Sequence, residues 1–218
     1  MQHYKITIVS DINSWINSYI PELIENFETQ NHLLEWTHNV NNIKKGDFVF
    51  YLSCGQIVKR EILDLNKHNL VVHESDLPEG KGWSPLSWQI LEGRNEIPIC
   101  LFEAAEKVDS GQIYIKKKMI FNGDELVNEL RDKQAEYSIS MCKEFIENYP
   151  DIIKKAQPQS GKETFYPKRT PADSMLDANK SLTEQFNLLR IVDNENYPAY
   201  FIYNGNKYIL KIEKVHEK

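Results

Sequence analysis

The first 150 residues alternate short β-branched or aromatic runs with helix-patterned stretches, and this alternation constrains the fold more than any other feature of the chain. Residues 5–10 (KITIVS) read as a strand. Residues 12–27 place Ile16, Ile20, Leu23 and Phe27 at helical spacing, with Pro21 predicted to kink or divide the helix. Residues 33–37 form a second strand, and residues 47–53 (DFVFYLS) are continuously apolar, as a buried strand requires. Residues 57–65 read as a helix, and residues 69–72 as another buried strand that stops at His73. In SPLSWQILEG, Ser84 is the expected N-cap, Pro85 the first helical residue and Gly93 the stop. Strands at 97–102 and 113–117 precede one long helix over 124–149, ending at Pro150. Strands separated by helices imply an α/β fold: a Rossmann-like, mainly parallel sheet covered on both faces.

Residues 157–173 are rich in Pro, Gly, Lys and Thr without periodicity, which suits a linker or wrapping loop. Beyond them, residues 182–189 look helical, and strands at 200–203 and 207–212 flank Asn204-Gly205, a two-residue hairpin turn. The expected division is a catalytic domain over 1–156 and a small helix-and-hairpin subdomain over 157–218.

Hydrophobic residues make up 41% of the 218 and charged residues 27%, a balance suited to a globular domain. No apolar run reaches the ~18 residues of a membrane span, and the strand-like start of the chain does not read as a secretory signal. Cytoplasm is the expected location. Cys54, Cys100 and Cys142 are far apart and odd in number, so neither a disulfide framework nor a zinc site is expected, and no metal is called for. With 26 basic against 32 acidic side chains, the net charge of −6 argues against nucleic acid as a partner.

Two side chains fall where chemistry concentrates in open α/β sheets, outside the strand ends: His73 closes one strand, and Asp109 (in VDSG) follows another. Taken singly, a histidine there also serves as a hydrogen-bonded structural residue, and an aspartate before Ser-Gly as a turn former. Together they can form a couple in which the carboxylate fixes the imidazole tautomer and supports its protonated form.

The stretch HESDLPEGKGWSPLSWQILEG, followed by IPICLFEAAEKVDSGQIYI, resembles the core of the formyltetrahydrofolate-dependent formyltransferases. That family carries Asn-x-His-x-x-x-Leu-Pro, a Gly-rich turn, Pro and Trp on a helix, then Asp-x-Gly. His73, Leu77, Pro78, Gly82, Pro85, Trp88, Gly93, Asp109 and Gly111 match it in order. The resemblance implies 10-formyltetrahydrofolate as the formyl donor. It implies a pterin held, chiefly by backbone groups, at the turn Gly55, Gln56, Ile57 and at the loop Ala105, Glu106, Lys107, Val108, Asp109, with Trp83 walling the pocket. Trp88, on its helix, is expected in the core. His73 would move the acceptor amine's proton, and Asp109 would orient His73. One departure stands out. The family's Asn two residues before the histidine, assigned to stabilising the developing oxyanion, is Val71 here and has no side-chain donor.

YPKRTPADSMLD and NLLRIVDNENYPAYF resemble the segment that follows the catalytic domain in sugar-nucleotide formyltransferases. This similarity marks Lys168, Arg169, Arg190 and Tyr197 for the diphosphate and uracil of a nucleotide-linked amino sugar; each is otherwise a solvent-exposed loop residue. HNLVVHESDLPEGKGWSPLSWQILEG is most similar to formyltransferases of pseudaminic acid clusters, which would make the acceptor UDP-4-amino-4,6-dideoxy-N-acetyl-L-altrosamine. Formylation of methionyl-tRNA, by comparison, calls for a larger C-terminal domain and a basic surface. Formylation of glycinamide ribonucleotide leaves residues 164–212 unexplained, and a catalytically silent relative is suggested by Val71 alone. The expected partners are small molecules, with a homodimer left open.

Overall fold

The computed structural model describes residues 2–215; Met1 and residues 216–218, at the ends of the two expected domains, lie outside it. Its centre is a six-stranded sheet built from β1 (Lys5–Val9), β2 (Leu33–Thr37), β3 (Gly46–Tyr51), β4 (Asn66–His73), β6 (Glu96–Glu103) and β7 (Ile113–Ile120). A short strand, β5 (Lys81–Gly82), lies outside it. The order across the sheet is β2-β1-β3-β4-β6-β7. The first four strands are parallel, while β6 runs antiparallel to both β4 and β7. The fold is therefore the expected α/β arrangement, mostly parallel with a mixed edge.

Strand periodicity sorts the core. Ile6, Ile8, Phe48, Phe50, Leu70 and Val72 point to one face, where they pack on Leu23 and Phe27 of α1 (Ile20–Thr29) and on Ile139, Cys142 and Phe145 of α4 (Val127–Asn148). Phe27, Phe48, Phe50 and Phe145 are wholly buried, each worth roughly 1.5–3 kcal/mol relative to exposure. The opposite face carries Val9, Val49 and Tyr51, buried with Val40 and Ile43 and with Val71 packed against them. The cavity opens beside Tyr51 and Val71. Among the described residues no helix is long and apolar enough to cross a membrane.

Several elements differ from expectation. Pro21 does divide the first helix: a 3-10 turn over Trp15–Ser18 precedes α1, whose first turn holds the proline, where a missing N–H costs no helical bond. The helix expected over 57–65 shrinks to α2 (Arg60–Leu63). The side chains of Asp11 and Gln56, bonded to each other and to Gly55, His38 and Val40, tie the preceding residues into a non-helical turn. Ser84 is not a side-chain cap for α3 (Pro85–Leu91); its φ of 53° puts it in the left-handed region, with no cap hydrogen bond. The helix expected over 182–189 starts late, as α5 (Phe186–Ile191), because Ser181 and Glu184 bond each other in a turn. The Asn204-Gly205 hairpin forms as read, joining β9 (Ala199–Tyr203) to β10 (Asn206–Leu210), with both turn residues at positive φ.

Of the two readings of residues 157–173, linker or wrapping loop, the structure shows the second, as a strap. Gln157 bridges to Ile113, and β8 (Phe165–Tyr166) pairs in parallel with β5. The Thr164 hydroxyl accepts from the Gly80 amide at 2.8 Å, and the Trp88 indole donates to the Pro167 carbonyl at 2.8 Å while stacking on Tyr166. Trp88 therefore fastens the strap.

Candidate active site

His73 closes β4, the parallel strand that borders antiparallel β6, and is 6% exposed. Its Nε2 lies 2.8 Å from the Gly80 carbonyl. A carbonyl can only accept, so Nε2 carries the hydrogen and Nδ1 of the neutral ring bears the lone pair. Asp109 Oδ2 is 4.0 Å from Nε2, too far for a hydrogen bond, and accepts instead from the Gly82 amide at 2.9 Å. The expected direct His–Asp couple is thus corrected: the 80–82 turn stands between the two, bonded to one at Gly80 and to the other at Gly82.

Asp109 also arrives by a route other than the one expected. Because β6 is antiparallel to β4, with Leu70 opposite Glu103 and His73 opposite Cys100, its carboxyl end lies away from that of β4. The loop 104–112 folds back to bring Asp109 to the cavity. Three features hold this return. Asp109 has φ 49°. A Cβ on Gly111 would lie 1.7 Å from the Glu103 carbonyl oxygen, so the loop closes on glycine alone. Gln159 of the strap donates from Nε2 to the carbonyls of Asp109 and Gly111, both at 2.9 Å.

Around His73 and Asp109 opens a cavity of about 500 Å³, the size of a small-molecule site. Val71 lines its floor, as do Gly55, Gln56 and Ile57 on one side and Ala105, Glu106, Val108 and Asp109 on another. Trp83 is at the wall. Ile57, Trp83 and Val108 are 71%, 42% and 41% exposed, an apolar rim suited to a flat ring. Of the residues expected at the pterin, Lys107 is the exception. Its ammonium pairs with Glu163 of the strap at 3.0 Å and does not line the cavity, a correction with a plain electrostatic cause. The side chain of Gln56 is committed to Asp11, His38 and Val40, which leaves its backbone for a ligand.

The C-terminal segment supplies the far wall with Lys168, Arg169 and Tyr197. Arg169 has no carboxylate partner among the described residues. Its Nη atoms make long bonds of 3.3–3.5 Å to Ile191, Asp173 and Ser174 oxygens, and its buried Nε finds no acceptor. Burial pushes its pKa down, with Asp173 and Tyr197 opposing. A half-buried guanidinium in this state is disposed to take an anion. Arg190 is not: it is 1% exposed, its Nη2 pairs with Glu125 at 3.1 Å, and Nη1 donates to Asn95 and Asn187. The expectation that Arg190 meets a substrate is corrected, since its guanidinium is consumed in pinning α5 to the turn before α4.

Five further cavity residues carry no local pattern that marks them for a site. Asp11 accepts from the Gly55 amide and shapes the 55–57 turn. Arg131 of α4 pairs with Asp193 at 3.0 Å. Burial would raise Asp193, but hydrogen bonds from Asn196 and Glu195 and the Arg131 pair bring it down to about 2. Glu74 lines the wall beside His73. Cys54 is at the cavity too, but burial pushes its thiol up to about 11, so it is no nucleophile at neutral pH.

The family model for formyl transferases matches residues 20–145. Among curated relatives, a methionyl-tRNA formyltransferase of Desulfotalea psychrophila is 30% identical over 74% of this chain and 50% of its own length. The chain spans about half the length of the curated relatives it matches. Among solved structures, a 4-N formyltransferase from Francisella tularensis superposes with TM-score 0.75 at 17% identity, covering 97% of this chain and 99% of that one. HypX from Aquifex aeolicus in complex with tetrahydrofolic acid gives TM-score 0.77 at 15% identity, over 97% of this chain and 38% of that one. At these identities the structural likeness speaks for the fold.

Proposed function

Because the chain belongs to the formyl transferase family, we propose that it transfers the formyl group of 10-formyltetrahydrofolate to the amine of a nucleotide-linked amino sugar. The observation that carries the sugar reading is the convergence of two groups on one cavity: the His73–Asp109 wall, and the cationic wall of Lys168 and Arg169 with Tyr197. A diphosphate on Arg169 would supply the acceptor its half-buried guanidinium lacks. The acceptor we favour is UDP-4-amino-4,6-dideoxy-N-acetyl-L-altrosamine of pseudaminic acid synthesis, which the resemblance of residues 68–93 suggests. Residues 157–218 would then be the nucleotide-binding part of the protein, acting in the cytoplasm.

The rim fits a pterin: Ile57, Trp83 and Val108 offer apolar faces, and the backbone of 55–57 and 105–109 offers amides and carbonyls. The folate would supply the formyl carbon. His73, its Nε2 held by Gly80, would use Nδ1 to accept a proton from the attacking amine and return it to the folate nitrogen. Asp109 would support the charge on the ring from 4.0 Å and keep the 80–82 turn in place through Gly82. Positioning both substrates in one cavity can contribute up to about 7–11 kcal/mol.

The test is formyl transfer by the purified protein with a panel of UDP- and TDP-amino sugars and with methionyl-tRNA as competitor acceptor. Turnover of a sugar amine, dependent on the formylated folate, supports the reading. Turnover of methionyl-tRNA alone would move the assignment to the activity for which the curated relatives are named. Turnover with acetyl-CoA in place of the folate would sink it.

A further inference from the structure

Glu74 has no part in the chemistry above, yet it follows His73 directly and lines the same cavity. The fold fixes it from two sides. Its carbonyl accepts from Gln89 Nε2 at 2.6 Å, and Gln89 is 2% exposed and also bound to the Pro85 carbonyl, so α3 holds the residue after the strand. The Gln134 amide of α4 stands by its carboxyl group. No lysine or arginine is paired with Glu74 among the described residues, and Arg131, one helical turn from Gln134, is taken by Asp193 at 3.0 Å. The charged groups lining this cavity with Glu74 are His73 of β4 when protonated, Asp109 and Glu106 of the 104–112 loop, Arg131 of α4, Asp193 after α5, Asp11 after β1, and Lys168 and Arg169. Burial pushes the Glu74 carboxyl up from the ordinary glutamate range, with His73 and Gln134 opposing and Asp109 adding to the rise.

A carboxylate that faces a substrate cavity and lacks a cation is incomplete until a cation binds. We propose that Glu74 is the receptor for the acceptor's amine: it pairs with the ammonium and takes one of its protons, leaving a neutral nucleophile beside His73. This inference rests on the formyl-transfer reading. The N–H bond breaks and an O–H bond forms on Glu74. The amine then attacks through its lone pair, and its next proton passes by way of His73 to the folate nitrogen. The ammonium thus gives up two protons, and the one on Glu74 returns to solvent when product leaves. The site would select amines over hydroxyls, since a hydroxyl brings no charge to pair with the carboxylate.

The experiment measures kcat/KM for the sugar amine across pH, from the point at which an imidazole is neutral up to the amine's own pKa, for wild type, Glu74→Gln and Glu74→Asp. Wild type and Glu74→Asp are expected to hold a flat profile, because both draw on the ammonium form. Glu74→Gln draws on neutral amine alone, so its kcat/KM should climb about tenfold per pH unit, while its affinity for the folate stays at the wild-type value. A Glu74→Gln profile equal to the wild type overturns the proposal. So does a wild-type profile that itself climbs tenfold per unit, which decides the matter even if the glutamine variant does not fold. A wild type that formylates no amine would instead count against the formyl-transfer reading. Calorimetry then still decides on Glu74: Glu74→Gln should lose affinity for the amino sugar but not for its N-acetylated counterpart, and equal loss for both overturns the role.

Discussion

His73 Nε2 hydrogen-bonds the Gly80 carbonyl, and Asp109 Oδ2 hydrogen-bonds the Gly82 amide, so the two side chains are joined through a three-residue turn and not by a bond of their own. The turn is held rigidly enough for this: a Cβ at Gly82 would lie 2.4 Å from the Tyr166 carbonyl oxygen, and Gly82 has φ 98°. Orientation of the imidazole is thereby assigned to backbone, and the carboxylate is left to act by its charge.

On this arrangement His73→Asn should lower single-turnover formyl transfer by roughly 10²–10⁴-fold with little loss of folate affinity. Asp109→Asn should fall less, because the asparagine oxygen can still accept from Gly82 while only the charge is lost. A pair of variants with equal losses would indicate that Asp109 does more than support charge.

Val71→Asn restores the amide donor usual in the family. Such donors are often worth about 10²–10³-fold, but Val71 packs against Leu77, Phe102 and Ile113 and the new amide would enter an apolar cluster. The expected change in rate is small, in single-turnover assays with the same sugar amine. Activity found only in Val71→Asn, with a silent wild type, would identify the natural protein as a degenerate relative.

Arg169→Ala and Arg190→Ala should separate cleanly. Arg169→Ala is expected to raise KM for the nucleotide sugar and leave Tm near wild type, since the lost protein contacts are long and uncharged. Arg190→Ala strands Glu125 and should cost about 3–5 kcal/mol of stability, read by urea unfolding, with KM unchanged in whatever fraction folds.

Asp193 makes stability depend on acid. Its carboxyl is lowered from 3.8 to about 2 in the fold. A depressed carboxyl contributes stability that is full above the unfolded value and is lost as pH falls through the folded one. Unfolding midpoints should therefore drop between about pH 4 and pH 2, and Asp193→Asn should be less stable at neutral pH yet lose less over that window.

Much of this fold could be read from the chain because local pattern and tertiary demand agree: KITIVS and DFVFYLS are buried on both faces, and Asn204-Gly205 takes the positive φ its hairpin needs. The direction of β6 could not be read, since apolar runs look alike in either orientation and the reversal is set by the turns around α3. Residues 157–167 hid for another reason. Their contacts, Thr164 to Gly80 and Gln159 to Asp109, reach 84 and 50 residues back, and no local periodicity records them. Arg190 and Arg169 are the same residue type in segments that both resemble nucleotide-binding ones. Only burial and partners separate the staple from the free guanidinium.

The strap also bears on how such a protein can be cut and joined. Residues 1–156 contain His73 and Asp109 but none of the Gln159, Thr164 and Tyr166 contacts that hold their two turns. A chimera spliced at 156 would inherit His73 and Asp109 with their scaffolding exchanged for a stranger's, whereas a splice beyond Pro167 carries pair and fastening together. Exchange of acceptor specificity between relatives is therefore expected to succeed at junctions after Pro167, where a donor's cationic wall can be replaced and the inherited turns stay as they were.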